Sequence, residues 1–574
     1  MALSSGVRTA ISRAPGTDVP MKVAKNPGVL WAALMTALVS GPWLAPGYLF
    51  GTDWPGPRRL DFVDQVASWA PFQDLLAAIA LMVGAEITAK LLMLGIIFGA
   101  SVSAFNAVPV DGFVPRAAAS ALYLLNPFVY GRLHYGQIFL LAGYAALPWL
   151  AWRLRLMLEK PSARNGLLAG LAGAVIGVLS LHTFLMAAML SAIALLAAAG
   201  FSGLRLDYLR KLAIAAAVAG AVALAISAYW VVPLLEGVGA EGTQLAGIGQ
   251  NAIIEFRTVP DPHLGLVPNL LGLYGFWAED AGRFLSMKTY LPPWPAALAT
   301  VLLVSGVGVA TAIRRRQMSL APWVVGLVLA GLVALVLAMG ASDPTTSRLT
   351  TWLDSHFSPY RGLRDAGKWV AILALAYSQL FGLGAAALLD WLRAIKLPAA
   401  GKEGSVAVTS ALLLAIPIGY GNGLLFGSHQ GIQPSQYPAG WYAADRLLLA
   451  DPHPGRTLFL PWHEYLSFDF IRNENRVIAC PAPAFFSTPV LASANPEVFG
   501  ISPPTDPDQV AISDLVGQGP MGDWARVLAD HGVKYALLAR TVDWQSYEYL
   551  DSLPNFTKVA DFGSIVVYRD LLSP

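Results

Sequence analysis

The sequence predicts a polytopic α-helical membrane protein of about 11 transmembrane helices, followed by a small extracytoplasmic α/β domain. Three observations predict it. Eleven apolar runs, some only as long as a spanning helix requires, cover residues 28–50, 91–108, 117–130, 138–152, 166–181, 183–200, 212–233, 293–313, 319–340, 369–389 and 406–427. Only 13% of the 574 residues are charged and the mean hydropathy is +0.55, too apolar for a soluble chain of this length. Hydropathy then drops near residue 428, beyond which come sixteen of the 36 acids, dense prolines and short alternating stretches.

Taken in chain order, residues 1–27 carry four basic residues with Pro15 and Pro20 but no apolar core or small-residue cleavage site. They read as a cytoplasmic segment, and 28–50 as a first anchor that stays. An odd number of crossings puts the two ends on opposite sides. Lys and Arg favour the cytoplasmic side of short loops, and Arg8, Arg13, Arg153, Arg155, Lys160, Arg164, Arg205, Arg210, Lys211 and Arg314 to Arg316 fall on the same side as the N-terminus. Before residue 430, fourteen acids fall on the other. The expectation is a multi-pass plasma-membrane protein with its N-terminus cytoplasmic, its C-terminal domain outside and its chemistry on the outer face.

The transmembrane domain is expected to occupy 28–427, with outer loops 51–90, 234–291 and 341–368, and the α/β domain 428–574. Within the first loop, Leu60, Val63, Val66, Ala67 and Ala70 recur at helical spacing opposite Asp61, Asp64, Gln65 and Ser68, which predicts an interfacial helix from Leu60 toward Lys90. The other two loops are long and rich in Pro, Gly, aromatics and charge, a pattern common in functional loops. In the C-terminal domain Thr457–Leu460, Lys534–Ala539 and Ser564–Tyr568 read as strands, and Trp524–His531 as a helix stopped by Gly532.

A net charge of +2 spread over scattered loop clusters gives no footprint for nucleic acid. Cys480 is the only cysteine, so an intramolecular disulfide is excluded. Nucleophile-elbow, Walker and zinc-protease patterns are all absent from the sequence. Gly51-Thr52-Asp53-Trp54-Pro55 places an acid just past the first anchor, within reach of a lipid headgroup. A shielded carboxylate there can act as general base toward a hydroxyl; Asp before Trp-Pro is also ordinary turn chemistry. Arg361, Arg364 and Lys368 precede a crossing at spacings that share one helical face, suited either to a lipid phosphate or to snorkelling and pairing with Asp365. His134, Gln137 and His182 stand near outer helix ends, as sugar or phosphate ligands or as structural donors. Asp261-Pro262-His263 and Glu279-Asp280 hold metal-type side chains without a close ligand pattern, so a divalent metal stays possible and no metal ligand is assigned.

The order of parts, together with local wording, resembles the GT-C superfamily of membrane glycosyltransferases. Asn126-Pro127-Phe128-Val129-Tyr130-Gly131-Arg132-Leu133-His134-Tyr135-Gly136-Gln137, followed by Leu147-Pro148-Trp149, looks like two crossings of its bacterial and archaeal members. Leu181-His182-Thr183-Phe184 and Tyr360-Arg361-Gly362-Leu363-Arg364-Asp365-Ala366-Gly367-Lys368-Trp369 are similar to two more. In the tail, Tyr437-Pro438 through Trp441-Tyr442, Leu460-Pro461-Trp462-His463 and Gly532-Val533-Lys534-Tyr535 extend the resemblance. By this wording the chain resembles the actinobacterial arabinofuranosyltransferases of that superfamily. Their Asp-Thr-Lys style first-loop motif is not reproduced here, so the sugar is not carried over.

The resemblance implies a first-loop acid as catalytic base, mapping to Asp53 with Asp61 as second choice, and a polyprenyl-phosphate-sugar donor whose phosphate meets Arg361, Arg364 and Lys368. It implies an inverting transfer to a cell-envelope glycan or glycolipid. The other functions compatible with the sequence are a lipid-linked sugar transporter or flippase and a non-catalytic glycan-binding scaffold. Transport is disfavoured by apolar runs whose central parts are nearly free of charge.

Overall fold

The computed structural model describes residues 26–573 apart from 250, 251, 315–319, 397 and 499. The expected N-terminal segment up to residue 25, and Arg315 and Arg316, lie outside the described residues. Each of the eleven apolar runs contains a helix. Eight of the described helices are long and apolar enough to cross a membrane: Pro27–Leu44, Ala85–Ala107, Leu181–Phe201, Leu206–Ala246, Trp294–Arg314, Ala321–Ser342, Ala366–Ala394 and Ala400–Tyr420. The chain is a multi-pass membrane protein. Of the other three, Ile138–Glu159 has 22 residues but ends in charge, Ala163–Leu179 has 17, and Phe113–Leu124 has 12.

Twelve residues rise about 18 Å, short of a roughly 30 Å hydrocarbon core. The run expected over 117–130 therefore does not cross as one rod. It breaks at Leu125 and resumes as Pro127–Tyr135, because Pro127 has no N–H for the ladder. Asn126 satisfies the buried break: its Oδ1 accepts from Val129 N at 3.1 Å and its Nδ2 donates to Tyr123 O at 2.6 Å. The short second helix ends at Gly136, which has φ +83°.

The segment expected as the first outer loop departs from expectation. Residues 55–69 form no helix, and the helix begins at Ala70, running Ala70–Val83. The backbone of this stretch is committed elsewhere: Arg58 N and Arg59 N donate to Ala484 O at 3.1 and 2.9 Å, Ser68 N to Glu241 Oε1 at 2.7 Å, and Val66 O accepts from Ala240 N at 2.9 Å. Those partners replace the i→i−4 ladder that the apolar spacing suggested. The next crossing starts at Ala85 rather than 91, since Glu86 and Lys90 pair at 2.8 Å and also bind Gly47 N and Ala45 O.

After Tyr420 the chain builds a mixed five-stranded sheet in the order β4-β1-β5-β7-β6. Its strands are β1 (Arg456–Leu460), β4 (Val490–Leu491), β5 (Val533–Ala539), β6 (Phe556–Asp561) and β7 (Ile565–Asp570). β1 runs parallel to β4 and β5, and β7 antiparallel to β5 and β6. The three strands expected from sequence are β1, β5 and β7, and the expected helix is Trp524–Asp530. A separate pair, β2 (Tyr465–Ser467) against β3 (Val477–Ala479), was not foreseen. This pair and its neighbours grip residues 50–59, just after the first helix. Ala479 N donates to Thr52 O at 2.7 Å, Asn473 Nδ2 to Phe50 O at 2.8 Å, Asn475 Nδ2 to Thr52 Oγ1 at 2.8 Å, and Arg58 pairs with the buried Asp445 at 2.6 Å.

Candidate active site

Asp53 sits at the tip of a tight turn closed by reciprocal backbone bonds between Gly51 and Trp54. Two glycines set its place. A Cβ on Gly51 would meet Gly136 Cα at 2.6 Å, and one on Gly136 would meet Trp54 N at 2.8 Å. The bare backbones touch there, and Asp53 N donates to Tyr135 O at 2.7 Å. Tyr465 Oη, from β2, donates to Asp53 Oδ1 at 3.1 Å. The carboxylate thus lies between the first loop, the end of Pro127–Tyr135 and the C-terminal domain.

Asp53 has accessible surface, yet the protein around it penalises the charged form of its carboxyl. Burial raises its carboxyl to about 6, against the opposing effect of hydrogen bonds from Tyr465 and Gln137 and of the positive charges of Lys368 and Arg364. Glu464, next to Tyr465 in the chain, is raised to about 7 by burial and by the negative charges of Asp53 and Glu497. Asp53 is thus coupled both to a second acid with a raised value, Glu464, and to two cations, Lys368 and Arg364.

The cationic side is built on two 3-10 turns, Ser358–Leu363 and Ala366–Trp369, rather than on one helical face. Asp365 between them takes both guanidinium branches of Arg132; the second contact, Arg132 Nη2 to Asp365 Oδ1, is 3.2 Å. Arg132 lies 3.8 Å over the Phe276 ring and donates to Gln137 Oε1 at 3.0 Å. Gln137 is thereby oriented with its amide nitrogen free to serve Asp53. Since Asp365 is taken by Arg132, Lys368 donates instead to Gly362 O at 3.3 Å, and Arg364 rests 5.1 Å over the Phe256 ring. Burial lowers the Arg364 guanidinium, with the carboxylates of Asp365 and Asp53 opposing.

Of the residues singled out in the sequence, Asp53, Gln137, Arg364 and Lys368 come together, and His182 joins them by packing its Nε2 against Gly362. Three stand apart. Arg361 turns toward Asp354, with Nε 3.4 Å from that carbonyl oxygen. His134 is buried between the rings of Tyr130 and Phe284, at 4.4 and 5.5 Å. Asp61 is exposed and paired with Arg59 at 2.8 Å. Arg132, Tyr135, Glu464 and Tyr465 were not anticipated. Arg132 had a signal, a lone cation inside an otherwise apolar and aromatic motif; Tyr465 had none. Among the described residues there is no group of three or more His, Cys, Asp or Glu arranged to hold a metal. Asp261 is engaged by Lys288 at 2.8 Å and by the N–H groups of His263 and Leu264, and Glu279 accepts from Ser286.

No protein-family model and no curated protein matches the sequence. The fold does find likenesses among solved structures. The chain is similar to the cryo-EM structure of arabinofuranosyltransferase AftD from Mycobacteria, with TM-score 0.58 and 17% identity over 95% of this chain and 40% of that one. A mutant form of the same protein gives TM-score 0.53 and 16% identity over 95% and 41%. The crystal structure of the Archaeoglobus fulgidus oligosaccharyltransferase, at TM-score 0.42 and 13% identity over 90% and 66%, is too distant to argue from. This chain spans about two-fifths of the length of the arabinofuranosyltransferase chains. The likeness is one of fold, and it bears out the expected helical membrane domain followed by a C-terminal sheet domain.

Proposed function

We propose that this chain, on its GT-C-like fold, is a glycosyltransferase that moves a sugar from a polyprenyl-phosphate donor to a cell-envelope glycan or glycolipid on the outer face of the plasma membrane. One observation carries the reading. A carboxylate held at about 6 feels the positive charges of two cations, Arg364 and Lys368. That is the charge pattern of a base opposite a leaving phosphate.

In the step proposed, the acceptor hydroxyl oxygen attacks the anomeric carbon while the bond from that carbon to the phosphate oxygen breaks. The hydroxyl proton passes to Asp53, and the electron pair leaves with the lipid phosphate, whose charge Arg364 and Lys368 neutralise. A single displacement inverts the anomeric carbon. The outer face lacks the cytosolic pool of nucleotide sugars, which favours a donor activated on lipid. Arg364 suits the phosphate because its planar fork donates two parallel hydrogen bonds. Tyr465 and Glu464 would line the acceptor side, since both come from the C-terminal domain and both feel Asp53.

The test is transfer by the purified full chain from a panel of synthetic polyprenyl-phosphate sugars to envelope glycan fragments. Sugar-dependent release of polyprenyl phosphate supports the reading. Release that proceeds equally in Asp53→Asn and wild type would sink it.

A further inference from the structure

The helix Ile138–Glu159 begins one residue past Gln137, and its 22 residues rise about 33 Å. Its far end therefore lies a membrane thickness from Asp53. There the loop joining it to Ala163–Leu179 meets the loop joining Leu181–Phe201 to Leu206–Leu235. The two loops face each other across an open cleft of about 670 Å3, whose lining includes Lys160, Arg164, Arg205, Asp207, Tyr208 and Lys211. Tyr208 Oη fastens them together by donating to Leu158 O at 2.8 Å. Lys211 holds Asp207 at 2.8 Å, so among the described residues Lys160, Arg164 and Arg205 have no carboxylate partner.

Beside these cations the chain makes an unusual turn. Gly203 and Leu204 both have φ +59°, a left-handed conformation that leucine adopts only under constraint. The turn leaves Leu204 81% exposed, next to Leu206 at 81% and Phe201 at 52%. Three unpaired cations with three projecting apolar side chains match an amphiphile, with anionic phosphate above and acyl chain below. Sidedness of insertion asks only that cations be present in a loop. It does not ask that two loops converge on one cleft, or that a leucine be held in a disfavoured turn beside it.

We propose that this cleft binds the headgroup phosphate of an anionic phospholipid from the leaflet opposite Asp53, independently of the transfer reaction proposed above. The lipid, rather than free phosphate, is favoured because the apolar side chains would have no role toward a soluble anion.

Native mass spectrometry of the detergent-solubilised full chain tests it, with phosphatidylglycerol and phosphatidylcholine of matched acyl chains as probes. Phosphatidylglycerol should occupy the protein at concentrations about tenfold lower than phosphatidylcholine. Arg164→Gln with Arg205→Gln should remove most of that preference, while Arg393→Gln, a cation at the same end of the bundle outside the cleft, should keep it. Leu204→Ser, which leaves every charge in place, should also weaken retention of phosphatidylglycerol. Equal occupancy by the two lipids overturns the proposal, as does an unchanged preference in the double variant. Displacement of phosphatidylglycerol by millimolar inorganic phosphate, with Leu204→Ser behaving as wild type, would assign the cleft to a free anion and overturn it too.

Discussion

Arg132 and Asp365, 233 residues apart in the chain, meet as a bidentate ion pair whose side chains are 1% and 6% exposed. The pair joins the segment that presents Tyr135 and Gln137 to the segment that presents Arg364 and Lys368. Both sides of the candidate site thus hang on one buried contact.

Breaking that contact should cost more than its net worth, because the surviving partner is left as a buried, unmatched charge. Arg132→Ala should destabilise the protein by about 3–5 kcal/mol. Arg132→Met combined with Asp365→Leu should lose much less. Thermal unfolding in detergent distinguishes them, and equal losses would show that the charges are not what holds the two segments.

Asp53→Asn keeps size and most hydrogen bonding but cannot accept the hydroxyl proton. Turnover in sugar transfer should fall by about a hundredfold or more with donor binding retained. Asp61→Asn should fall far less, because Asp61 is engaged with Arg59 at the exposed surface. Near-native turnover for Asp53→Asn together with loss in Asp61→Asn would transfer the base to Asp61.

The base must be ionised to act, so kcat/KM should rise with pH through about 6 and level off above it. Tyr465→Phe removes a hydrogen bond that favours the carboxylate, so the limb should shift to higher pH. Glu464, held at about 7, is largely protonated where Asp53 titrates, so Glu464→Gln should leave the limb nearly in place. A limb unmoved in Tyr465→Phe would mean that the titrating group is not Asp53.

Arg364→Ala should weaken use of a polyprenyl-phosphate donor by about ten- to a hundredfold, the loss expected for one charge-assisted contact of about 1.5–3 kcal/mol. Arg361→Ala should have less effect, since its guanidinium is turned toward Asp354. Lys368→Ala is the intermediate case, a point charge without a planar fork. Donor titrations with the three variants check the order; equal affinities would remove Arg364 from the donor site.

Sidedness can be read by labelling. In a Cys480→Ser background, a cysteine at Asp469 should react with an impermeant thiol reagent applied outside intact cells, and one at Glu403 should react only after permeabilisation. The reverse pattern would invert the proposed topology.

Much of the fold was legible because membrane insertion is decided by sums over long segments. Each of the eleven apolar runs contains a helix, since an apolar segment in hydrocarbon leaves the backbone few other ways to satisfy itself. Pro127 and Asn126 announced a break that the apolar count over 117–130 passed over, because hydropathy averages across a proline. The stretch after Leu60 misled in the opposite way. Its apolar spacing is helical, yet its amide and carbonyl groups find partners in Ala484, Glu241 and Ala240, and nothing local foretells them.

For the site, the sequence by itself determined the ingredients at each end: an acid just past the first anchor, and cations just before a later crossing. Composition and position sufficed for those, because both answer to where the bilayer begins. Tertiary structure alone decided which of them meet. Tyr465 reaches Asp53 from 412 residues away, on a three-residue strand too short to carry a periodic signal, and Arg132 takes Asp365 away from Lys368. Contacts of that range depend on how separately folded segments pack. A side chain's partner there is set by geometry between elements, which no local pattern of residues encodes.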